Sequence, residues 1–89
     1  MREINVEIKN EAGLHARPSS KFMELVSEYN SEITVKTNGE EVNGRSIMGL
    51  MLLAAEKGRI LTLEAEGSDE DEVLEALRIL IEEEKYNEI

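Results

Sequence analysis

His15 is the only histidine among 89 residues that contain no cysteine, so it is the one side chain whose ordinary titration lies near neutrality and whose nitrogen can act as a nucleophile. It stands in the run Gly13-Leu14-His15-Ala16-Arg17-Pro18, where a glycine-containing loop meets a helical pattern. Phe22, Leu25, Val26 and Tyr29 recur at spacings of three and four, which predicts a helix over about residues 16–28. Pro18 falls in its first turn, where a missing N–H costs little because those donors have no intrahelical partner. The free N–H groups of that turn and the positive end of the helix dipole favour a phosphate. The same dipole opposes an imidazolium, and neutral imidazole with a free ring nitrogen is the form that accepts a phosphoryl group. Arg17 supplies a planar, permanently charged fork for the oxygens of such a group. Taken singly, each residue reads as a cap or a solvated side chain. Their conjunction in one strand-to-helix turn points to anion handling.

A second candidate is Ser46, well placed to cap a short helix carrying Ile47, Leu50, Met51 and Ala54, with Gly58 expected just past its last turn. This helix has more apolar residues than one stripe can bury. Ile47, Met48 and Met51 are therefore expected to leave an adaptable exposed patch, with Lys21 and Arg45 adding positive charge around it.

The elements that must position these residues follow from periodicity. Ile4, Val6 and Ile8 alternate with polar neighbours, as do Ile33 and Val35, and Leu61, Leu63 and Ala65, which predicts half-buried strands. Asn38-Gly39 predicts a hairpin joining a second strand to a third around Glu41-Val42. Gly67 closes the fourth strand, and Asp69 with Glu72 reads as a capping box opening a last helix whose buried stripe is Val73, Leu77, Leu80 and Ile81. The order βαββαβα argues a two-layer α+β sandwich.

At 10.0 kDa the chain has room for one domain, spanning 1–89. Its formal charge is −10, of which −9 lies in residues 64–89, so the first two-thirds is nearly neutral. Without a clustered basic face or stacking aromatics, nucleic-acid binding is not expected. No apolar run approaches a membrane span and no signal peptide is evident; with no cysteine, a reduced cytoplasmic setting is expected.

Gly13-Leu14-His15-Ala16-Arg17-Pro18 resembles the active-site motif of the HPr family, the histidine-containing phosphocarriers of the bacterial phosphotransferase system. Arg45-Ser46-Ile47-Met48-Gly49-Leu50-Met51 resembles the regulatory-serine segment of the same family, at a matching distance downstream and without gaps. The resemblance covers essentially the whole chain. It implies an open-faced β-sandwich, with a four-stranded antiparallel sheet ordered 1-4-2-3 and three helices on one face. It also implies that His15 accepts a phosphoryl group from phosphorylated enzyme I and passes it to IIA domains of sugar permeases, cradled by the backbone N–H groups of Ala16 and Arg17 and by the Arg17 guanidinium. In this reading the protein is a carrier rather than an enzyme, a monomer, with no cofactor or metal.

For Ser46 the resemblance implies phosphorylation by HPr kinase/phosphorylase and corepression with catabolite control protein A. Ile47, Met48, Met51, Lys21 and Arg45 are then the expected partner-binding patch. Two positions depart from the family pattern: Arg45 stands where lysine is frequent, and the last helix is unusually acidic. The rival within the fold is a regulatory HPr-like protein acting through Ser46 alone. A catalyst using His15 with Ser19, Ser20 or a carboxylate lacks an oxyanion motif, and a metal module on Asp69–Glu72 lacks the spacing of a calcium loop.

Overall fold

Alternation of apolar and polar residues builds the sheet, and the computed structural model, which describes residues 1–88, shows how its strands associate. Strands β1 (Arg2–Glu7), β2 (Glu32–Thr37), β3 (Glu40–Asn43) and β4 (Ile60–Glu66) form one antiparallel sheet in the order β1-β4-β2-β3. Helices α1 (Ala16–Ser27), α2 (Ile47–Leu52) and α3 (Glu70–Arg78) cover one face of it. Register puts Val6 opposite Leu61, Ile33 opposite Ala65 and Val35 opposite both Leu63 and Val42. Because side chains alternate along a strand, this register gathers one apolar set beneath the helices. There it meets Phe22 and Val26 of α1, Leu50 of α2 and Val73, Leu74 and Leu77 of α3. The two-layer α+β order and the hairpin at Asn38-Gly39 are as the sequence predicts, with φ +52 and +80 at the two turn residues.

The opposite face of the sheet is open. Glu3 lies directly across from Glu64, and Glu32 from Glu66, while Lys36 bonds Glu64 at 2.7 Å. Like charges directly opposite oppose pairing.

Two expected helix boundaries differ. Helix α2 ends at Leu52, not near Gly58: Leu53 is its cap and Ala54 turns left-handed at φ +50. Gly58, at φ +93, instead closes the turn into β4, its N–H donating to the Ile8 carbonyl at 2.8 Å. Asp69 does not cap α3 with its side chain. Its carboxylate reaches back to the turn after α1, accepting from the N–H of Asn30 at 2.8 Å, the N–H of Ser31 at 2.9 Å and the Ser31 hydroxyl. These donors hold the Asp69 carboxyl below the usual carboxylate range, the Ser31 hydroxyl contributing most. The expected capping box with Glu72 is absent; Glu70 accepts from the Gly67 N–H at 3.2 Å instead.

Helix α3 continues into a π-helical turn over Ile79–Glu83, marked by a bond from the Glu84 N–H to the Ile79 carbonyl at 2.8 Å. The turn keeps Leu80 and Ile81 buried and leads to Tyr86, which is fully buried, its phenol held protonated far above the ordinary range by desolvation.

Candidate functional site

The loop ahead of α1 is fastened at three points. Asn10 donates through Nδ2 to the Gly13 carbonyl at 2.9 Å, the Gly13 N–H donates to the Asn10 carbonyl at 3.2 Å, and the Leu14 N–H donates to the Ala55 carbonyl at 2.8 Å. Gly13 has φ +71, and a Cβ there would come within 2.5 Å of the Ala55 carbonyl oxygen, so glycine is required both by conformation and by space. Leu14 then buries its side chain, and His15 is set down as the N-cap residue of α1 in an extended conformation.

As a cap, His15 is half absent. Its carbonyl accepts from the Ser19 N–H at 2.9 Å, but its side chain makes no capping bond. The first turn carries no acidic residue, and Pro18 has no N–H to offer. Two main-chain donors, those of Ala16 and Arg17, are thereby left with no acceptor among the described residues, beside an imidazole that does not fill the space. The imidazole is half-buried, and its Nε2 is sealed from solvent with no hydrogen-bond partner among the described residues. Arg17 and Lys21, one helical repeat apart, are exposed and enter no hydrogen bond or ion pair among the described residues.

A concavity of about 250 Å³ opens beside the imidazole, walled by Leu14, Met51, Ala54 and Ala55 and bounded by Glu56. It connects the His15 turn to α2. Ser46 is the N-cap of that helix as expected, its Oγ accepting from the Gly49 N–H at 2.9 Å. Leu50 is buried beneath, which turns Met48 and Met51 outward at 69% and 39% exposure, with Ile47 half-buried. Leu52, at 75% exposure, belongs to the same outward stripe, beyond the Ile47, Met48 and Met51 expected there. Its signal was available: residues 48 and 52 share a helical face, and burying Leu50 and Leu53 forces them out.

Arg45 differs from expectation. Its guanidinium donates to the carbonyls of Tyr29 at 3.0 Å and Ser31 at 3.3 Å, just beyond the C-terminal end of α1. His15 lies at the other end of that 12-residue helix, about 18 Å away. Unpaired carbonyls past a helix C-terminus attract a cation more strongly than an open apolar patch does. Among the described residues no three carboxylate or imidazole groups converge as metal ligands, and no helix is long and apolar enough to cross a membrane.

This arrangement can hold an anion at the start of α1 and present one nitrogen nucleophile to it. Comparison with known proteins points the same way. The family model described as the PTS HPr component phosphorylation site matches residues 2–83. A phosphocarrier protein HPr of Neisseria meningitidis is 51% identical over 81 residues, covering 91% of each chain. An HPr-like protein Crh of Halalkalibacterium halodurans is 46% identical, covering 94% of this chain and 100% of its own. Among solved structures, HPr of Thermoanaerobacter tengcongensis superposes with a TM-score of 0.93 at 45% identity, over 100% of this chain and 99% of its own. A dimer of that same protein matches with a TM-score of 0.74, over 96% and 98%. A motif fixed by a glycine against the α2–β4 connection, on a sheet ordered β1-β4-β2-β3, and a match along nearly the whole chain agree: the chain belongs to the HPr family, the phosphocarriers of the phosphotransferase system.

Proposed function

We propose that the chain acts as one domain over residues 1–89 and carries a phosphoryl group on His15 between phosphorylated enzyme I and IIA domains of sugar permeases. The observation that supports this most is the vacant cap: an imidazole at the start of α1 with two unclaimed main-chain N–H groups beside it. Nε2 is closed off, so Nδ1 is the accepting atom. Its lone pair attacks the phosphorus of the donor's phosphohistidine in line. The new N–P bond forms as the donor's P–N bond breaks, and that bonding pair stays with the donor nitrogen. The N–H groups of Ala16 and Arg17 and the Arg17 guanidinium stabilise the equatorial oxygens through the transfer. The group then leaves by the same chemistry in reverse, so the protein turns over only between partners and is a carrier rather than an enzyme.

Met48, Met51 and Leu52, with Ile47 at their edge and Lys21 of α1, form the docking surface for the partners of His15, and the protein meets those partners as a cytoplasmic monomer. Phosphorylation of Ser46 by HPr kinase/phosphorylase, and corepression with catabolite control protein A, is the regulatory half of this reading. A phosphate there adds about −1.5 to −2 charge at the N-terminus of α2, where the helix tolerates it and the apolar docking surface does not.

Intact-mass measurement after incubation with phosphoenolpyruvate and enzyme I tests the proposal. One acid-labile phosphate on the wild type and none on His15→Ala is the expected result. The second reading, a regulatory protein acting through Ser46, is favoured by the similarity to HPr-like protein Crh. It becomes the better one if an active enzyme I leaves the wild type unmodified while ATP and the kinase add one acid-stable phosphate lost in Ser46→Ala.

A further inference from the structure

The concavity beside His15 contains one titratable side chain besides the histidine, and it is an acid. The Glu56 carboxylate is exposed and makes no hydrogen bond or ion pair among the described residues, whereas its neighbour Lys57 pairs with Glu11 at 2.6 Å. Glu56 is also held in place by backbone. Ala55 before it accepts from the Leu14 N–H at 2.8 Å, and its own carbonyl accepts from the Arg59 N–H at 2.9 Å. A Cβ on Gly13 would lie 3.1 Å from the Glu56 Cα, so the acid is packed against the loop that delivers His15. Leu14, Met51, Ala54 and Ala55 line the same concavity as the two groups, and apolar walls strengthen the interaction of charges that border one cleft.

Resting on the reading of His15 as the phosphoryl acceptor, we infer that Glu56 is a charge-tuning residue that destabilises phosphorylated His15. In the free protein its carboxylate shares the concavity with an imidazole that carries no phosphate. Once the N–P bond forms, the concavity that Glu56 bounds borders a dianionic phosphoryl group on the first turn of α1, and the repulsion raises the tendency of the group to move on. Glu56 touches no reacting atom. It acts on the equilibrium between the two states of His15, and thereby biases the carrier toward donation.

The test measures the ratio of phosphorylated to free protein at equilibrium with catalytic enzyme I and a fixed phosphoenolpyruvate-to-pyruvate ratio. Four proteins are compared: wild type, Glu56→Gln, Glu56→Asp and Glu3→Gln, the last removing one acid from the far face of the sheet. Glu56→Gln is expected to raise the ratio roughly threefold at low salt, and the rise should shrink as salt screens the pair. Glu56→Asp and Glu3→Gln should stay near wild type. An unchanged or lowered ratio in Glu56→Gln, an equal rise in Glu3→Gln, or a rise that salt does not diminish overturns the inference, and each leaves the carrier reading intact. A wild type that takes no acid-labile phosphate from active enzyme I overturns both.

Discussion

Gly13→Ala should separate the packing of the His15 loop from its chemistry. Two costs are visible. A residue with a Cβ at φ +71 is strained by about 1–2 kcal/mol, less roughly 0.4–1 kcal/mol recovered because alanine restricts the unfolded chain. The new methyl also meets the Ala55 carbonyl oxygen at 2.5 Å, and that oxygen is the acceptor of the buried Leu14 N–H. Moving it leaves a buried donor unpaired, which costs about 1–3 kcal/mol. The sum runs from about 1 to about 5 kcal/mol and centres near 3 kcal/mol, or a Tm lowered by about 12–24 °C at that centre in a domain of this size. Gly39→Ala is the matched control, since φ is +80 there but nothing lies within 4 Å of the added carbon; it should lose only the conformational part. Thermal unfolding of both variants gives the stability difference. Phosphotransfer measured well below either Tm gives the functional one: Gly13→Ala should slow acceptance at least about tenfold through displacement of His15, and Gly39→Ala should leave it unchanged. Equal Tm losses in the two variants, or a Gly13→Ala protein that accepts phosphate at the wild-type rate, would refute the claim that contact with Ala55 positions the histidine.

Three further outcomes are expected. Ala54→Gly should raise Tm by a few degrees, because glycine accepts the left-handed φ of +50 with which α2 ends; a lowered Tm in thermal unfolding would count against strain there. Ser46→Ala should cost about 1 kcal/mol by removing the cap on the Gly49 N–H, with faster hydrogen exchange at that amide as the specific readout. Asp69→Asn should destabilise at pH 7, with a gap that closes in acid. The folded carboxyl is held below its unfolded value, so its stabilisation is complete above about pH 4 and is lost as pH falls through the depressed folded value. Denaturant melts at pH 7 and pH 2.5 check this, and a gap of equal size at both would remove Asp69 as its source.

The parts of the fold legible in the sequence are those governed by neighbours a few residues apart. Alternation located the strands because a two-residue period is visible in any window of six, and Asn38-Gly39 located the hairpin because the turn's conformational demand falls on those two positions. The geometry of the His15 turn was legible for the same reason: glycine, imidazole, cation and proline are contiguous. Strand order was not, since periodicity assigns a face to each strand but no neighbour, and it entered only through resemblance to a family. Ala54 has the spacing of an ordinary helical position, and nothing local betrays a residue forced into a glycine-like conformation.

Asp69 and Arg45 show most clearly why the remainder was hidden. Each sits beside a helix N-terminus, and local reasoning offers each a local task, capping for the acid and flanking charge for the base. Both instead converge on one turn, Tyr29–Ser31, from opposite sides: the carboxylate takes its N–H groups and the guanidinium its carbonyls. A helix C-terminus leaves carbonyls unpaired and the irregular residues after it add unpaired N–H groups, and a charged partner bonds either one more strongly than a neutral cap does. The competition was therefore decided by donors and acceptors 14 to 39 residues away. The His15 turn escaped it: Pro18 and the absence of acid in the first turn of α1 leave no local claimant, and no distant side chain among the described residues takes its N–H groups. What is hidden elsewhere, a distant partner already in occupation, is what the proposed phosphoryl site has to lack.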